Sequence, residues 1–370
     1  RRGLSIWWYE TRHAARRVRE ANSETTLGFL LRKGVNALAN DWYNRQETVW
    51  REYCATSSSD GVAEWYAPLY SSVIANRVQR GQRFPEGRII GEDIQLVNQK
   101  FGLIESIERE LFDDDQTGQI NQRMERLGGS MGTTESVWAA GRFLGAALTA
   151  YGITVPASNY TTTDINGTSV TGVWSTSLYG TSSGNRAQTY RPLNMGEFKG
   201  AYQALVGLSV DPTNQKIINR PNTLLVSAMD TVNGKLLLAP GGYPAVMGQS
   251  QASAANAPVI GGTVSAAGAN QGVLAGYPGG FGSPNPFSDM GIKLVTENYL
   301  TAWTAALGDS RKGLVFQERD PLEVVQEGIN TGSYFNFDSI AFRSRRRFEC
   351  DWVGNRNWFL INDGTASGAL

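Results

Sequence analysis

Histidine is almost missing from this 370-residue chain; His13 is the only one. A Ser-His-Asp or Cys-His catalytic group would have to be built on that residue, close to the N-terminus, which argues against both. Cysteine is nearly as scarce. Cys54 and Cys350 belong to no cluster with zinc-ligand spacing. Two cysteines fit a reducing compartment and read as free, buried thiols that pack as small apolar residues. The phosphate-loop pattern Gly-x-x-x-x-Gly-Lys-Ser/Thr does not occur. No apolar run approaches a membrane span, and no charged-then-apolar leader is visible. Arg1 stands where an initiator methionine would, which reads as a processed or trimmed start. Net charge is absent too, since 34 Lys+Arg balance 34 Asp+Glu. A neutral chain is not a dedicated nucleic-acid binder, because counterion release needs a net basic surface; local basic patches stay open. Acids are plentiful, but nothing selects one pair as an acid–base dyad. The chain is therefore expected to hold no catalytic residue, no metal and no cofactor, and to have no membrane partner.

What is present is length, glycine and segregated charge. The length suggests two or three domains, and 42 glycines point to many turns and long loops. Residues 1–45 read as an arm followed by a helix. Ile6-Trp-Trp-Tyr and Arg12, Arg16, Arg17 and Arg19 make up the arm; Leu27, Leu30, Leu31, Val35, Leu38 and Trp42 give the helix one apolar face. Residues 46–107 read as strands and a long protruding hairpin. There, Arg77, Arg80, Arg83 and Arg88 surround Gly81, Pro85 and Gly87. Its polar tip has too little apolar content to fold onto its own core, which suggests that it lies across a neighbour.

Residues 108–151 read as a long helix. Its apolar positions run from Ile120, Met124, Leu127 and Met131 to Phe143 and Leu148. Gly128-Gly129 costs roughly 2 kcal/mol of helix propensity against alanine, so a bend or a close neighbour is expected there. Glu105, Glu108, Glu110, Asp113, Asp114 and Asp115 precede or open this helix. The aspartates suit a helix N-terminus, and a solvated terminus is the preferred reading over a cation site. The acids are the counterpart of the basic segments, and segregated signs in a neutral total favour protein–protein steering.

Residues 152–300 read as an α/β layer. Asn194 and Glu197 frame a capping box, residues 222–227 form a short buried strand, and residues 230–238 form a helix. Residues 239–288 are rich in Gly, Ala and Ser and carry no charge; a loop of that length is expected to be functional or mobile, here a contact at a subunit junction. Residues 301–370 close the chain. A strand is expected from Gly313 to a stop at Pro321, with a short second element after it. In the ribbon that follows, Ile340, Phe342, Phe348, Cys350 and Trp352 share one parity and Arg343, Arg345 and Arg347 the other. The arginine row has three open readings: contact with DNA phosphates without sequence readout, pairing with acids of a neighbouring subunit, or an ordinary solvated face.

This order of arm, hairpin, spine helix, α/β domain with glycine loop and returning ribbon resembles the Hong Kong 97-type major capsid proteins of tailed bacteriophages. It is most similar to the Mu-like head-subunit branch. The resemblance is carried by Phe101 to Asp115, by Asn222-Thr-Leu-Leu-Val, and by Trp303 to Asp309 with Val315 to Leu322 and Arg343 to Trp352. It implies an α+β fold of the Hong Kong 97 type, with N-arm, extended β-hairpin loop, peripheral domain with spine helix, and axial α/β domain. The implied function is a virion head protein that forms hexamers and pentamers of an icosahedral shell around double-stranded DNA. Expected partners are other copies of itself, the packaged DNA, a portal, a scaffold and, where one exists, a decoration protein, with assembly in the host cytoplasm. Some family members weld the shell with a Lys–Asn isopeptide bond from the extended loop. No lysine lies between Lys33 and Lys100 here, and guanidinium stays protonated, so a non-covalent shell is expected. The alternatives are an encapsulin-like compartment subunit and, more distantly, a surface carbohydrate-binding or hydrolytic protein suggested by ten tryptophans and polar loops.

Overall fold

The computed structural model describes residues 37–46, 48–71, 77–80, 82–84, 89–108, 119–150, 152–179, 183–187, 193–239, 287–327 and 339–364. Along the chain come helix α1 (37–45) and strands β1 (Ala55–Ser58), β2 (Ala63–Tyr66), β3 (Leu69–Ser71), β4 (Ile89–Gly91), β5 (Ile94–Val97) and β6 (Gln99–Glu108). Helix α2 (Gln119–Leu144) is followed by β7 (Leu148–Ala150), β8 (Ile153–Val155), β9 (Thr161–Thr163) and β10 (Ser169–Thr171). Then come α3 (Met195–Gln203), β11 (Thr223–Ser227), α4 (Thr231–Leu238), β12 (Lys293–Glu297) and β13 (Thr304–Gly308). The chain closes with β14 (Leu314–Gln326), β15 (Ser339–Trp352) and β16 (Trp358–Asp363). Helix and sheet are mixed throughout, as the α+β expectation required.

The chain gathers into two compact units of discontinuous segments. One holds residues 1–48, 98–135 and 318–348; the other holds 49–97, 136–317 and 349–370. In the first, β6 pairs antiparallel with β15 from Ser339 opposite Glu108 to Phe348 opposite Gln99. Its core joins Ala39 of α1, Met124 and Leu127 of α2, Ile107, Val324 and Phe342. Helix α1 is seated on glycine: a Cβ on Gly128 would lie 2.2 Å from the Ala39 carbonyl oxygen, and one on Gly132 would lie 2.4 Å from Gln46 Oε1. Of the two expectations at Gly128-Gly129, the close neighbour is therefore present.

The second unit is built on a four-stranded sheet in the order β12-β11-β13-β16. β11 runs parallel to β12 and antiparallel to β13. β11 and β13 are buried at every residue, as a sheet packed on both faces requires. Phe198, Ala201 and Leu205 from the α3 segment and Leu237 of α4 pack with Leu224, Val226, Leu307 and Ile361, each full burial contributing roughly 1.5–3 kcal/mol for the larger side chains. The Asn194 side chain accepts from the Glu197 N–H at 3.0 Å, which caps α3. Beyond α3 the helix widens into a π turn over Ala204–Leu208. An aromatic cluster of Tyr53, Phe143, Trp174, Trp352 and Trp358 lies in the same unit, with ring centroids 5.1–6.5 Å apart.

Three sequence expectations are corrected. The long helix ends at Leu144, not near Tyr151. Gly145 adopts φ +73°, the left-handed conformation that closes helices, and Leu148–Ala150 pairs with Ile153–Val155 as a small hairpin. Pro321 does not end a strand, since it lies inside the thirteen-residue β14. A proline fits a strand where its nitrogen faces no partner strand, and β1, one of the two neighbours of β14 in the sheet, is only four residues long. The packed face of the ribbon β15 is not purely apolar. Arg346 shares the parity of Phe342 and Phe348 and is buried with them. The expected arm and the glycine-rich loop 239–288 lie almost entirely outside the described residues. Cys54 and Cys350 are both free and buried.

Candidate functional site

The hairpin reads out of its own register. β2 and β5 pair Ala63 with Val97 through Tyr66 with Ile94. β3 and β4 pair Leu69 with Gly91 through Ser71 with Ile89. Both ladders share one alignment, and its fold-back point falls at Arg80, where Gln82 N–H closes a turn on the Gln79 carbonyl at 3.1 Å. Arg77, Arg80 and Arg83 are exposed around that point, and Phe84 beside them is 78 % exposed. The inner ladder is tied down by Tyr66, whose hydroxyl donates to Gln317 Oε1 at 3.0 Å. Arg88 lies outside the described residues, as do Arg12, Arg16, Arg17 and Arg19 and the acids Glu110, Asp113, Asp114 and Asp115.

Of the remaining acids, Glu105 is half-buried and sits 3.6 Å from Arg123, while Glu108 is exposed. In the arginine row, Arg343 is exposed. Arg345 and Arg347 are half-buried, and both approach Asp320 of β14, at 3.4 and 3.9 Å. Two of the three therefore have a carboxylate of their own chain.

Sequence reasoning missed the fourth arginine. Arg346 is 3 % exposed. It pairs with fully buried Glu135 of α2 and, at 3.0 Å, with Glu318 of β14. The Tyr43 hydroxyl donates to both oxygens of Glu135, at 3.0 and 3.1 Å, and the Arg346 guanidinium lies 5.2 Å over the Tyr43 ring. Burial pulls Arg346 down from 12.5 to about 10. The signal was available: Arg346 stands in the packed parity of its strand, two residues from Phe348.

A second buried charge group lies in the other unit. Arg142 of α2 reaches Glu349 and Asp351, both at 3.3 Å. Trp138 Nε1 donates to Glu349 at 2.9 Å and Ser158 Oγ to Asp351 at 2.6 Å. Burial raises both carboxyls, with Arg142 opposing. In the same unit Glu297 is 1 % exposed, and burial raises it from 4.5 to about 7. Its oxygens accept from Tyr53 Oη at 3.4 Å and the Tyr299 N–H at 3.2 Å. Most of their polar atoms have structural partners; among the described residues, Nε of Arg142 and Nε of Arg346 have none. Among the described residues, no group of three His, Cys, Asp or Glu could hold a metal ion, and no helix is long and apolar enough to cross a membrane. An open cleft of about 410 Å³ lies against α2, lined by Trp42, Gln46, Gln122, Glu125, Arg126 and their neighbours.

A family model described as phage capsid protein matches residues 92–359, more than half of the chain. No curated protein matches the sequence. Similar solved structures include the capsid of a native GTA particle, at 12 % identity over 85 % of this chain and 90 % of that one, TM-score 0.49. A Mycobacterium phage Adephagia structure is 15 % identical over 86 % and 90 % of the two chains, TM-score 0.47. The mature capsid of bacteriophage PhiM1 is 11 % identical over 85 % and 86 %, TM-score 0.42.

Proposed function

Because the chain belongs to the phage capsid protein family, we propose that it builds an icosahedral phage head by assembling into hexamers and pentamers. It is a structural, shell-forming protein of the virion. The proposed plan is that of the Hong Kong 97-type capsid proteins in their Mu-like branch. The arm 1–45 crosses to a neighbour, the hairpin between β2 and β5 lies over the adjacent subunit, and the glycine-rich loop 239–288 sits near the capsomer axis. Packaged double-stranded DNA, a portal, a scaffold and a decoration protein are the proposed partners, assembly takes place in the host cytoplasm, and the shell performs no catalysis. The family match favours neither the encapsulin-like nor the carbohydrate-binding alternative.

The observation that carries this reading is the family match over residues 92–359. The exposed arginines at the hairpin end support it, because a neutral protein with segregated charge steers other copies of itself more readily than it coats nucleic acid. For DNA, the candidates are Arg343 together with Arg345 and Arg347, the latter two already half-neutralised by Asp320. The test is negative-stain electron microscopy of the expressed chain beside its mass by light scattering. Closed shells or discrete rings of five and six subunits are expected. A monomer at every concentration, both alone and with the native scaffold, would overturn the reading.

A further inference from the structure

The hairpin contains a joint. Its inner ladder (β2–β5) and outer ladder (β3–β4) share one register, so Pro68 and Glu92 face each other in the gap between them. Proline has no N–H to give. The backbone bond left to this pair runs from the Glu92 N–H to the Pro68 carbonyl, at 3.3 Å. The inner ladder is anchored through Tyr66 to Gln317, so the joint is the first place beyond that anchor where the hairpin can turn.

The Glu92 side chain spans from this joint to a separate element. Glu92 is 8 % exposed, and its Oε1 accepts from Thr162 Oγ1 at 2.8 Å and from the Thr163 N–H at 3.0 Å. Both donors belong to β9, which pairs with β10. β9 is itself held from within, because Arg356 donates to the Thr163 carbonyl and, at 2.7 Å, to the Val210 carbonyl. Arg356 is 1 % exposed. Arg356, Thr163 and Glu92 thus form a continuous brace from the interior of the unit to the joint. The other carboxylate oxygen, Oε2, is buried and has no hydrogen-bond partner among the described residues. A buried oxygen left unsatisfied is penalised, and that penalty is relieved on exposure to water. The brace is therefore held by two good bonds and opposed by one unmet demand, the balance of a contact that can open.

We propose that the Pro68–Glu92 joint is a hinge for the outer ladder and that the Glu92 carboxylate is its releasable latch. Latched on Thr162 and Thr163, the outer ladder has one direction; with Glu92 released to water, it swings. The inference concerns the single subunit and does not rest on the capsid reading. A shell subunit that lays its hairpin on differently placed neighbours would use the latch to select among directions.

The test is a spin-label distance measurement on the full-length chain, kept unassembled in dilute solution. Arg80→Cys and Ser169→Cys, both at exposed positions, carry the labels; the native cysteines are buried. With Glu92 intact, one narrow distance distribution is expected. It should broaden in Glu92→Ala and in Thr162→Val, which keeps the volume and removes the hydroxyl donor. It should be narrow again in Glu92→Gln, whose amide oxygen still accepts from both threonine groups. A distribution in Glu92→Ala as narrow as that of the intact latch, or one already as broad with Glu92 present, would overturn the proposal. If Glu92→Ala does not fold, Thr162→Val decides: broadening supports the latch and no change removes it. Because no shell is needed for the measurement, its failure would leave the assembly reading untouched.

Discussion

Replacing Arg346 with methionine takes the cation from Glu135, which is fully buried and also accepts the Tyr43 hydroxyl proton, shared between its two oxygens. Breaking a buried pair typically costs about 3–5 kcal/mol because the remaining charge stays buried. Tyr43 keeps Glu135 partly satisfied, so Arg346→Met should fall near the low end, about 3 kcal/mol. Glu135→Leu should cost less, since Arg346 keeps Glu318 at 3.0 Å. The double variant should recover most of the loss, because an apolar pair of similar volume replaces a buried ion pair without stranding a charge. Urea unfolding of the unassembled chain reads all three; strictly additive losses would show that the two residues are not coupled. Glu297 titrates visibly for a related reason. Burial raises its carboxyl from 4.5 to about 7, so between those values the folded state holds a proton that the unfolded state has released. Its contribution to stability is present in full below about 4.5 and is lost as pH rises through about 7. The size is on the order of 3 kcal/mol. Glu349 and Asp351 are raised too and add in the same direction. Unfolding free energy measured from pH 4 to 8 should fall across that window, and Glu297→Gln should flatten much of the fall. A slope unchanged in Glu297→Gln would assign it elsewhere. None of these residues was visible as a site in the sequence. A charged residue at a packed parity, such as Arg346, gains meaning only when its partners arrive from α2 and β14, far away along the chain.

At the scale of elements, two glycines in helices should respond in opposite ways to the same change. Gly200 lies within α3, and a Cβ there would meet nothing within 4 Å. Gly200→Ala should therefore stabilise the chain by roughly 0.5–1 kcal/mol, the difference in helix propensity. Gly128 lies within α2, where the same Cβ would come 2.2 Å from the Ala39 carbonyl oxygen. Gly128→Ala should destabilise despite the better propensity, because backbone of α1 must move to admit it. Thermal unfolding of the two variants side by side tests this, and stabilisation by Gly128→Ala would mean that α1 does not need the seat. The sequence showed α2, α3, α4 and the buried strand β11 because each carries a periodic apolar pattern or a cap. It misplaced the end of α2 by reading Ala147 and Leu148 as more of the same apolar face, when the left-handed Gly145 had already ended it. It broke β14 at Pro321 because a proline's tolerance depends on which neighbour strand is present, and that is a property of the sheet rather than of the segment.

At the scale of the molecule, the order of segments was legible and the pairing of charges was not. Hairpin, long helix, α/β layer and returning ribbon follow from composition and turn residues along the chain. That Arg345 and Arg347 share Asp320 with each other follows only from the fold. One whole-molecule property does come straight from composition. Between Lys33 and Lys100 there is no lysine, while the hairpin end carries Arg77, Arg80 and Arg83. A covalent weld from this hairpin to a neighbour would need an amine that can lose its proton and attack a side-chain carbonyl. A guanidinium, a delocalised cation with no free amine lone pair, cannot supply one. Contacts made by the hairpin must then be ionic, apolar through Phe84, or hydrogen-bonded, and all of these are lost in denaturant. Assembled particles boiled in detergent should run as single chains, and intact-mass analysis of the dissolved particles should return the mass of one chain. Ladders of covalent multimers that survive denaturation would show that another lysine, outside the hairpin, makes the bond. Loss of the ladder on substituting the seven lysines one at a time would identify it.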